Sequence, residues 1–284
     1  MIEYRSVAKT FDDGTRAVAD FDLTIDSHTT TVFVGSSGCG KTTLLRMVNR
    51  MVEPTAGQVL IDGEDVAGRD RVPLRRSIGY VMQHAGLLPH RTVADNVATV
   101  LRLNGTGKAA ARERSLEVLH TVGLDESHAS KYPGQLSGGQ QQRVGVARGL
   151  AADPNILLMD EPFGAVDPIV RDELQAELLR LQRELGKTIV FVTHDVDEAF
   201  LLGDQVVILK KGGEVAQVGT PADILADPAD EFVASFVGLD KGQRELRLEE
   251  RDGRTVVLDG SGKPTGVLAD AADTPARGQG AGSA

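Results

Sequence analysis

Cysteine is almost absent. Cys39 is the only one, which excludes an intrachain disulfide and a cysteine-built metal cluster and fits a reducing, cytosolic setting. Tryptophan is missing and aromatics reach only 4%, too few for the stacking platforms that hold single-stranded nucleic acid. Excess positive charge is lacking too: the formal net charge of −10 argues against a general binder of phosphate backbones. It leaves a local phosphate site open, because backbone N–H groups hold phosphate without a basic surface. No apolar run approaches the ~20 residues that cross a bilayer, and the first five residues lack the basic-then-apolar layout of a secretory signal. If such a chain serves a membrane, it does so by docking on another chain.

What is present is ordinary globular usage, 284 residues with 41% hydrophobic and 25% charged side chains, enough for one large domain or two small ones. Phe21, Leu23 and Ile25 alternate with polar neighbours, the period of two of a half-buried strand. Residues 31–34 form a short apolar strand that ends in glycine and leads into a helix over about 40–50. Residues 58–61 predict another strand, closed by the hairpin pair Asp62 and Gly63. Between about 86 and 152 the period becomes helical. Val93, Val97, Val100 and Leu101 follow Thr92 as a cap, and a second helix over about 108–122 stops at Gly123.

From 156 onward strand and helix alternate. Residues 156–159 and 188–192 are continuous apolar runs, as in strands buried on both faces of a parallel sheet. The helix between them has Asp167 as cap, Pro168 in its first turn and Leu174, Leu178, Leu181 and Leu185 on one face. Residues 205–209 and 214–218 read as a strand pair. Beyond about 240 the chain is charged, then rich in Gly, Ala, Asp and Pro, and its last ten or so residues read as disordered.

Three segments carry chemistry. Gly35, Ser36, Ser37, Gly38, Cys39, Gly40, Lys41 and Thr42 match the phosphate-binding pattern Gly-x4-Gly-Lys-Thr between a strand and a helix. The glycines let backbone N–H groups face phosphate oxygens; Lys41 bridges the outer phosphates, Thr42 offers a hydroxyl to Mg²⁺, and Thr43 adds a bond nearer the ribose. The apolar strand 156–159 ends in Asp160 and Glu161, a carboxylate for Mg²⁺ and one to orient or deprotonate the attacking water. Ser137, Gly138, Gly139 and Gln140 open the helix-like stretch 141–152, where a serine cap and two glycines make a second anion site at a helix N-terminus. One nucleotide does not need two phosphate cradles in one chain, whereas two chains arranged head to tail do. Cys39, beside Lys41 and a helix start, reads either as a thiol of lowered pKa or as an inert small residue filling the loop.

The order of these motifs, with Leu136-Ser-Gly-Gly-Gln140 between the phosphate loop and the Asp-Glu strand, resembles the ABC-family ATPases over about residues 1–238. The resemblance implies an α/β fold: a P-loop NTPase (RecA-like) core, an antiparallel β subdomain, and an α-helical subdomain inserted at about 87–150, with residues 239–284 as a C-terminal extension. It implies ATP and Mg²⁺ as cofactors, and a homodimer on ATP binding in which one subunit's Ser137 motif completes the other's site. Gln83 then resembles the glutamine that senses Mg²⁺ and the transport partner, and His194 the histidine that contacts the terminal phosphate. Asp167 resembles the loop coupling the two sites, and Phe11 the aromatic that stacks on adenine, where tyrosine is commoner. Ser27-His28 and Ser36 depart from the usual family residues, at positions without a proposed chemical role.

Residues 48–54, 159–168, 171–175, 187–199, 218–225 and 230–238 further resemble the ATPases of osmoprotectant importers for glycine betaine, choline and similar quaternary amines. That resemblance implies a cytoplasmic subunit, peripheral on the cytoplasmic face of the membrane, working with integral-membrane permeases and a substrate-binding protein and not with nucleic acid. Many of that group carry a pair of cystathionine-synthase-type modules after the motor. Here about 45 residues remain, with one strand-turn-strand resemblance over 254–268, shorter than one such module. An ATPase acting on DNA or ribosomes lacks support, since neither a long coiled-coil insert nor a second motor is present. Intact Glu161 and His194 argue against a non-hydrolysing module. An exporter ATPase of the same fold is separated by its membrane partner.

Overall fold

Residues 1–164, 168–240, 244, 246–251 and 254–268 are described by the computed structural model, and the chain divides after Asp227 into two units. In chain order the first unit holds β1 (Ile2–Thr10), β2 (Arg16–Ile25), β3 (Thr30–Gly35), α1 (Lys41–Val48), β4 (Ala56–Ile61), β5 (Glu64–Asp65), α2 (Arg71–Ser77) and β6 (Ile78–Val81). There follow α3 (Val93–Val97), α4 (Thr99–Leu103), α5 (Lys108–Thr121) and α6 (Gly138–Leu150), then β7 (Ile156–Asp160), α7 (Pro168–Leu185), β8 (Thr188–Thr193), α8 (Val196–Leu202), β9 (Gln205–Lys210), β10 (Glu214–Gly219) and α9 (Pro221–Ala226).

The uninterrupted apolar runs become the middle of a six-stranded sheet, ordered β10-β9-β3-β8-β7-β6. Every pairing in it is parallel except β10 on β9. β3, β7 and β8 are buried at every position, as strands covered on both faces must be. In a parallel sheet all strands end at the same edge, so Gly35, Asp160 and Thr193 arrive together although 125 and 33 positions separate them in sequence. The alternating strands form a separate antiparallel sheet, ordered β2-β1-β4-β5. Asp62 and Gly63 close its last hairpin with φ of 53° and 80°, the conformation a two-residue primed turn needs.

Three rings join the two sheets. Tyr4, Phe21 and Phe33 are fully buried and meet edge to face, with centroids 5.1, 6.3 and 6.0 Å apart. Burial of each such side chain contributes about 2–3 kcal/mol. The Tyr4 hydroxyl donates to the Leu44 carbonyl at 3.1 Å, so the ring that fastens β1 also fixes α1 over the sheet.

The helical stretch differs from its reading in one respect. The single helix expected behind Thr92 is two short ones, α3 and α4, meeting at Ala98. Thr92 still caps the first, its hydroxyl accepting from the Asp95 N–H at 3.2 Å. Asn96, fully buried, donates to the Leu88, Arg91 and Thr92 carbonyls and accepts from the Leu88 N–H. It pins the preceding loop where pattern alone offers only a polar residue in an apolar stripe. On α7, Leu174, Leu178 and Leu181 are buried, but Leu185, in the last turn, is exposed.

The second unit contains α10 (Glu231–Phe236), β11 (Leu246–Arg251), β12 (Arg254–Asp259) and β13 (Pro264–Val267). The three strands pair antiparallel in that order, so the strand-turn-strand read over 254–268 gains β11 as a third member. The tail read as disordered lies outside the described residues. Among the described residues, no helix is long and apolar enough to cross a membrane.

Candidate functional site

The phosphate-type loop spans the gap between β3 and α1. Gly40 precedes the helix at φ 106°, and a Cβ there would lie 2.6 Å from the Ala17 carbonyl oxygen. The first intrahelical bond runs from the Leu44 N–H to Gly40, which leaves the N–H groups of Lys41, Thr42 and Thr43 directed at the loop. Lys41, buried, donates its ammonium to the Gly35 and Ser36 carbonyls at 2.7 and 2.9 Å. Cys39 is buried as well, its Sγ 3.7 Å from that nitrogen. The result is an open cleft of about 290 Å³ lined by Ala17, the loop from Ser37 to Thr43, and Glu161. The loop is braced from behind, where Cys39 accepts the Gly213 N–H at 2.8 Å and Gly212 accepts that of Ala19 at 2.7 Å.

Two carboxylates stand at the β7 tip. Asp160 takes the Thr42 hydroxyl proton on Oδ1 at 2.7 Å. Its Oδ2 accepts from Arg46 at 3.1 Å and from the Tyr80 hydroxyl at 3.0 Å. Neither partner is evident in the sequence, where Arg46 is one basic residue of α1 and Tyr80 one position of an apolar strand. Burial pushes the Tyr80 hydroxyl up to about 12, so it remains a donor at neutral pH. Arg46 is held above its ordinary value chiefly by its hydrogen bond to Tyr80.

Glu161 has a backbone conformation that its type rarely adopts, φ 44°. A left-handed L-residue stores about 1–2 kcal/mol. The bonds that hold it there are its own N–H to the Val192 carbonyl at 2.9 Å and the Gly164 N–H to its carbonyl at 3.1 Å. The bend swings the carboxylate off the strand line and over the cleft. Gln83 Nε2 donates to its Oε2 at 3.2 Å, and His194 Nδ1 lies 3.3 Å from the same oxygen. Gln83, Glu161 and His194, from three different strands' ends, therefore share one carboxylate. The residue before His194 is held by a buried carboxylate. Thr193 donates to the buried Glu198 at 2.6 Å and Gln175 of α7 donates to it at 3.2 Å. Burial pushes the Glu198 carboxyl up, and the Thr193 bond opposes that.

The other expected residues lie elsewhere. Ser137 caps α6, its hydroxyl accepting from the Gln140 N–H at 3.2 Å while Gln140 accepts from the Ser137 N–H at 3.0 Å. Ser137 and Gly138 are exposed, Gly139 buried, and none of the four lines the cleft. Phe11 sits in the β1–β2 turn, 40% exposed, with the Lys9 ammonium 5.1 Å above its ring; it too is outside the cleft lining. Asp167 lies outside the described residues.

One connection had no signal in the sequence. From α6, Gln142 donates to the Met82 carbonyl at 3.2 Å, and Arg148 donates to the Ala85 and Gly86 carbonyls at 2.6 and 2.7 Å. The helix that begins at Ser137 thus holds the segment carrying Gln83. We expect Arg148→Met to lose about 2–3 kcal/mol, the worth of a charged donor serving two carbonyls. Urea unfolding together with hydrogen exchange over 82–86 checks it; unchanged exchange there would break the proposed link.

A strand, glycine loop and helix, with a carboxylate at the tip of the strand two places along the same sheet, define a P-loop nucleotide-binding fold. The ABC transporter family model matches residues 18–164, and the chain belongs to that family. The choline transport ATP-binding protein OpuBA of Bacillus subtilis is 52% identical over 241 residues, 85% of this chain and 63% of that relative. The glycine betaine uptake system ATP-binding protein YehX of Escherichia coli is 48% identical over 249 residues, 87% of this chain and 80% of that relative. The chain thus spans about three fifths of the length of OpuBA and more of YehX. Among solved structures, a dimeric ATP-binding cassette in a post-hydrolysis state bound to ADP and Pi superposes with a TM-score of 0.71 at 36% identity, over 78% of this chain and 99% of that one.

Proposed function

We propose that this chain is the ATP-binding and ATP-hydrolysing subunit of an importer for quaternary amines of the glycine betaine and choline type. The observation that carries the motor part is the surplus of anion sites. A complete phosphate cradle lies at residues 35–43, and a second capped helix start lies at Ser137, outside that cleft. Two copies facing head to tail would use both, each closing the other's nucleotide. The solved relative, dimeric and bound to ADP and Pi, supports pairing of two such chains. The names of the relatives support the substrate class.

In this reading the loop N–H groups and Lys41 take the β- and γ-phosphates and Phe11 stacks on the base. Thr42 and Asp160, with Gln83, hold Mg²⁺; a hydroxyl, a carboxylate and an amide are oxygen donors of the hard type that cation takes alongside phosphate and water. Mg²⁺ supplies neutralisation of charge on the phosphates. Glu161 accepts the proton of the attacking water, held in place by Gln83 and His194, and His194 reaches the terminal phosphate. Asp167 couples the two sites. Permease subunits dock around Gln83 and the helical region on the cytoplasmic face, with a substrate-binding protein delivering the amine. A cavity of about 330 Å³ among α3, α4 and α5 is lined by Arg91, Arg102, Lys108 and Arg112 against a single acid, Asp95, an excess of positive charge that suits an acidic permease segment.

The test is uptake of labelled glycine betaine and choline after co-expression with the neighbouring transporter genes, with Lys41→Ala as control. Uptake that requires Lys41 is expected. No uptake, with ATPase activity intact in the isolated chain, would discard the amine assignment and keep the motor.

A further inference from the structure

The least expected group at the site is the closed ring behind Asp160. Arg46 reaches from α1, Tyr80 from β6 and Asp160 from β7. Arg46 Nε donates to the Tyr80 oxygen at 3.2 Å, Tyr80 donates onward to Asp160 Oδ2 at 3.0 Å, and Arg46 donates a second nitrogen to that same Oδ2 at 3.1 Å. A phenol has one proton to give, and here it is committed to the carboxylate. Oδ2 is therefore doubly served and the carboxylate cannot turn without breaking both bonds. Oδ1 is left with the Thr42 proton at 2.7 Å. Because Thr42 gives its proton to Asp160, its oxygen lone pairs are left free, and Thr42 lines the cleft.

We propose that Arg46 and Tyr80 are positioning residues that set the metal affinity of the nucleotide site by fixing which oxygen of Asp160 faces it. The inference rests on the reading of Thr42 and Asp160 as holders of Mg²⁺ and adds to it the parts that orient them. The Arg46 side chain is 43% exposed, so an ion pair alone would be screened and weak; the Tyr80 bridge makes the arrangement rigid. Lysine at 46 could not replace it, since one ammonium lacks the flat fork that serves Tyr80 and Asp160 together. Groups that orient a metal's ligands without touching the metal typically change affinity by about tenfold to a hundredfold when removed.

Binding of a fluorescent ATP analogue to the full chain tests this, first in EDTA and then across a Mg²⁺ titration. In EDTA, wild type, Tyr80→Phe and Arg46→Lys are expected to bind alike. Each variant should need about tenfold more Mg²⁺ than wild type to reach the half-maximal change. The double variant should stay near tenfold and not approach a hundredfold, because both residues act through one carboxylate. Tyr80→Phe keeps the ring and its packing, so it decides the matter if Arg46→Lys folds poorly. Mg²⁺ midpoints equal to wild type, shifts that multiply, or equal losses with and without Mg²⁺ would each overturn the inference. A wild-type chain that binds the analogue with no response to Mg²⁺ would remove the metal-site reading itself; equal midpoints against a responding wild type would remove this inference alone.

Discussion

Glu161→Gln is expected to lower ATP turnover about a thousandfold while MgATP binding survives. A positioned general base contributes about 10²- to 10⁴-fold, and a thousandfold corresponds to about 4 kcal/mol of barrier. The substitution changes little else. The amide is isosteric, its oxygen can still accept the Gln83 bond seen at 3.2 Å, and the left-handed backbone is held by main-chain partners at Val192 and Gly164, so the site keeps its shape. What disappears is the capacity to accept a proton. If two copies close on ATP and part after hydrolysis, the variant should accumulate as an ATP-bound dimer. Phosphate release under single-turnover conditions and size-exclusion chromatography in MgATP measure the two effects. Turnover above a tenth of wild type would place proton acceptance on another group, and a monomer in saturating MgATP would count against the head-to-tail pair.

Gly40→Ala should damage the loop severely, with about 3 kcal/mol of stability lost and ATP affinity down at least tenfold. Two effects add. The backbone at φ 106° is a region that only glycine occupies freely, and forcing another residue into such a region costs about 1–3 kcal/mol. The new Cβ would also stand 2.6 Å from the Ala17 carbonyl oxygen, a backbone atom in β2 that cannot swing away as a side chain would. Relief requires moving the loop, which spoils the direction of the N–H groups at residues 41–43. Gly38→Ala separates the causes: its φ is 76° but a Cβ there meets nothing within 4 Å, so about 1 kcal/mol of stability is expected to go. Urea unfolding of both variants, paired with nucleotide binding, makes the comparison. Equal stability losses would show that the contact with Ala17 carries no weight.

The site was legible where its chemistry is local. The glycine spacing of 35–40, the acid pair after an apolar strand and the serine cap at 137 each advertise a backbone or side-chain job completed within a few residues. Ser137 and Gln140 satisfy one another across three positions, and the pattern of residues states as much. Arg46, Tyr80, Gln142 and Arg148 gave no such signal. Each does its work with a partner 34 to 114 positions away, and along the chain each resembles an ordinary helix or strand residue. The apolar spacing of 93–101 suits one helix and carries no sign of the division at Ala98, nor of the Asn96 side-chain bonds that tie α3 to the loop before it.

By itself the sequence determined the family, the buried parallel strands, the glycine loop between strand and helix and the acid pair at a strand tip, because periodicity and short-range hydrogen-bonding patterns are written in neighbouring residues. Tertiary structure alone decided which groups face one another: that Gln83 and His194 share one oxygen of Glu161, that Arg46 and Tyr80 share one oxygen of Asp160, and that the helix beginning at Ser137 grips the segment carrying Gln83. The reason is the parallel sheet, which brings the ends of strands distant in sequence to one edge, where contacts are set by strand order and side-chain reach and no local pattern records them.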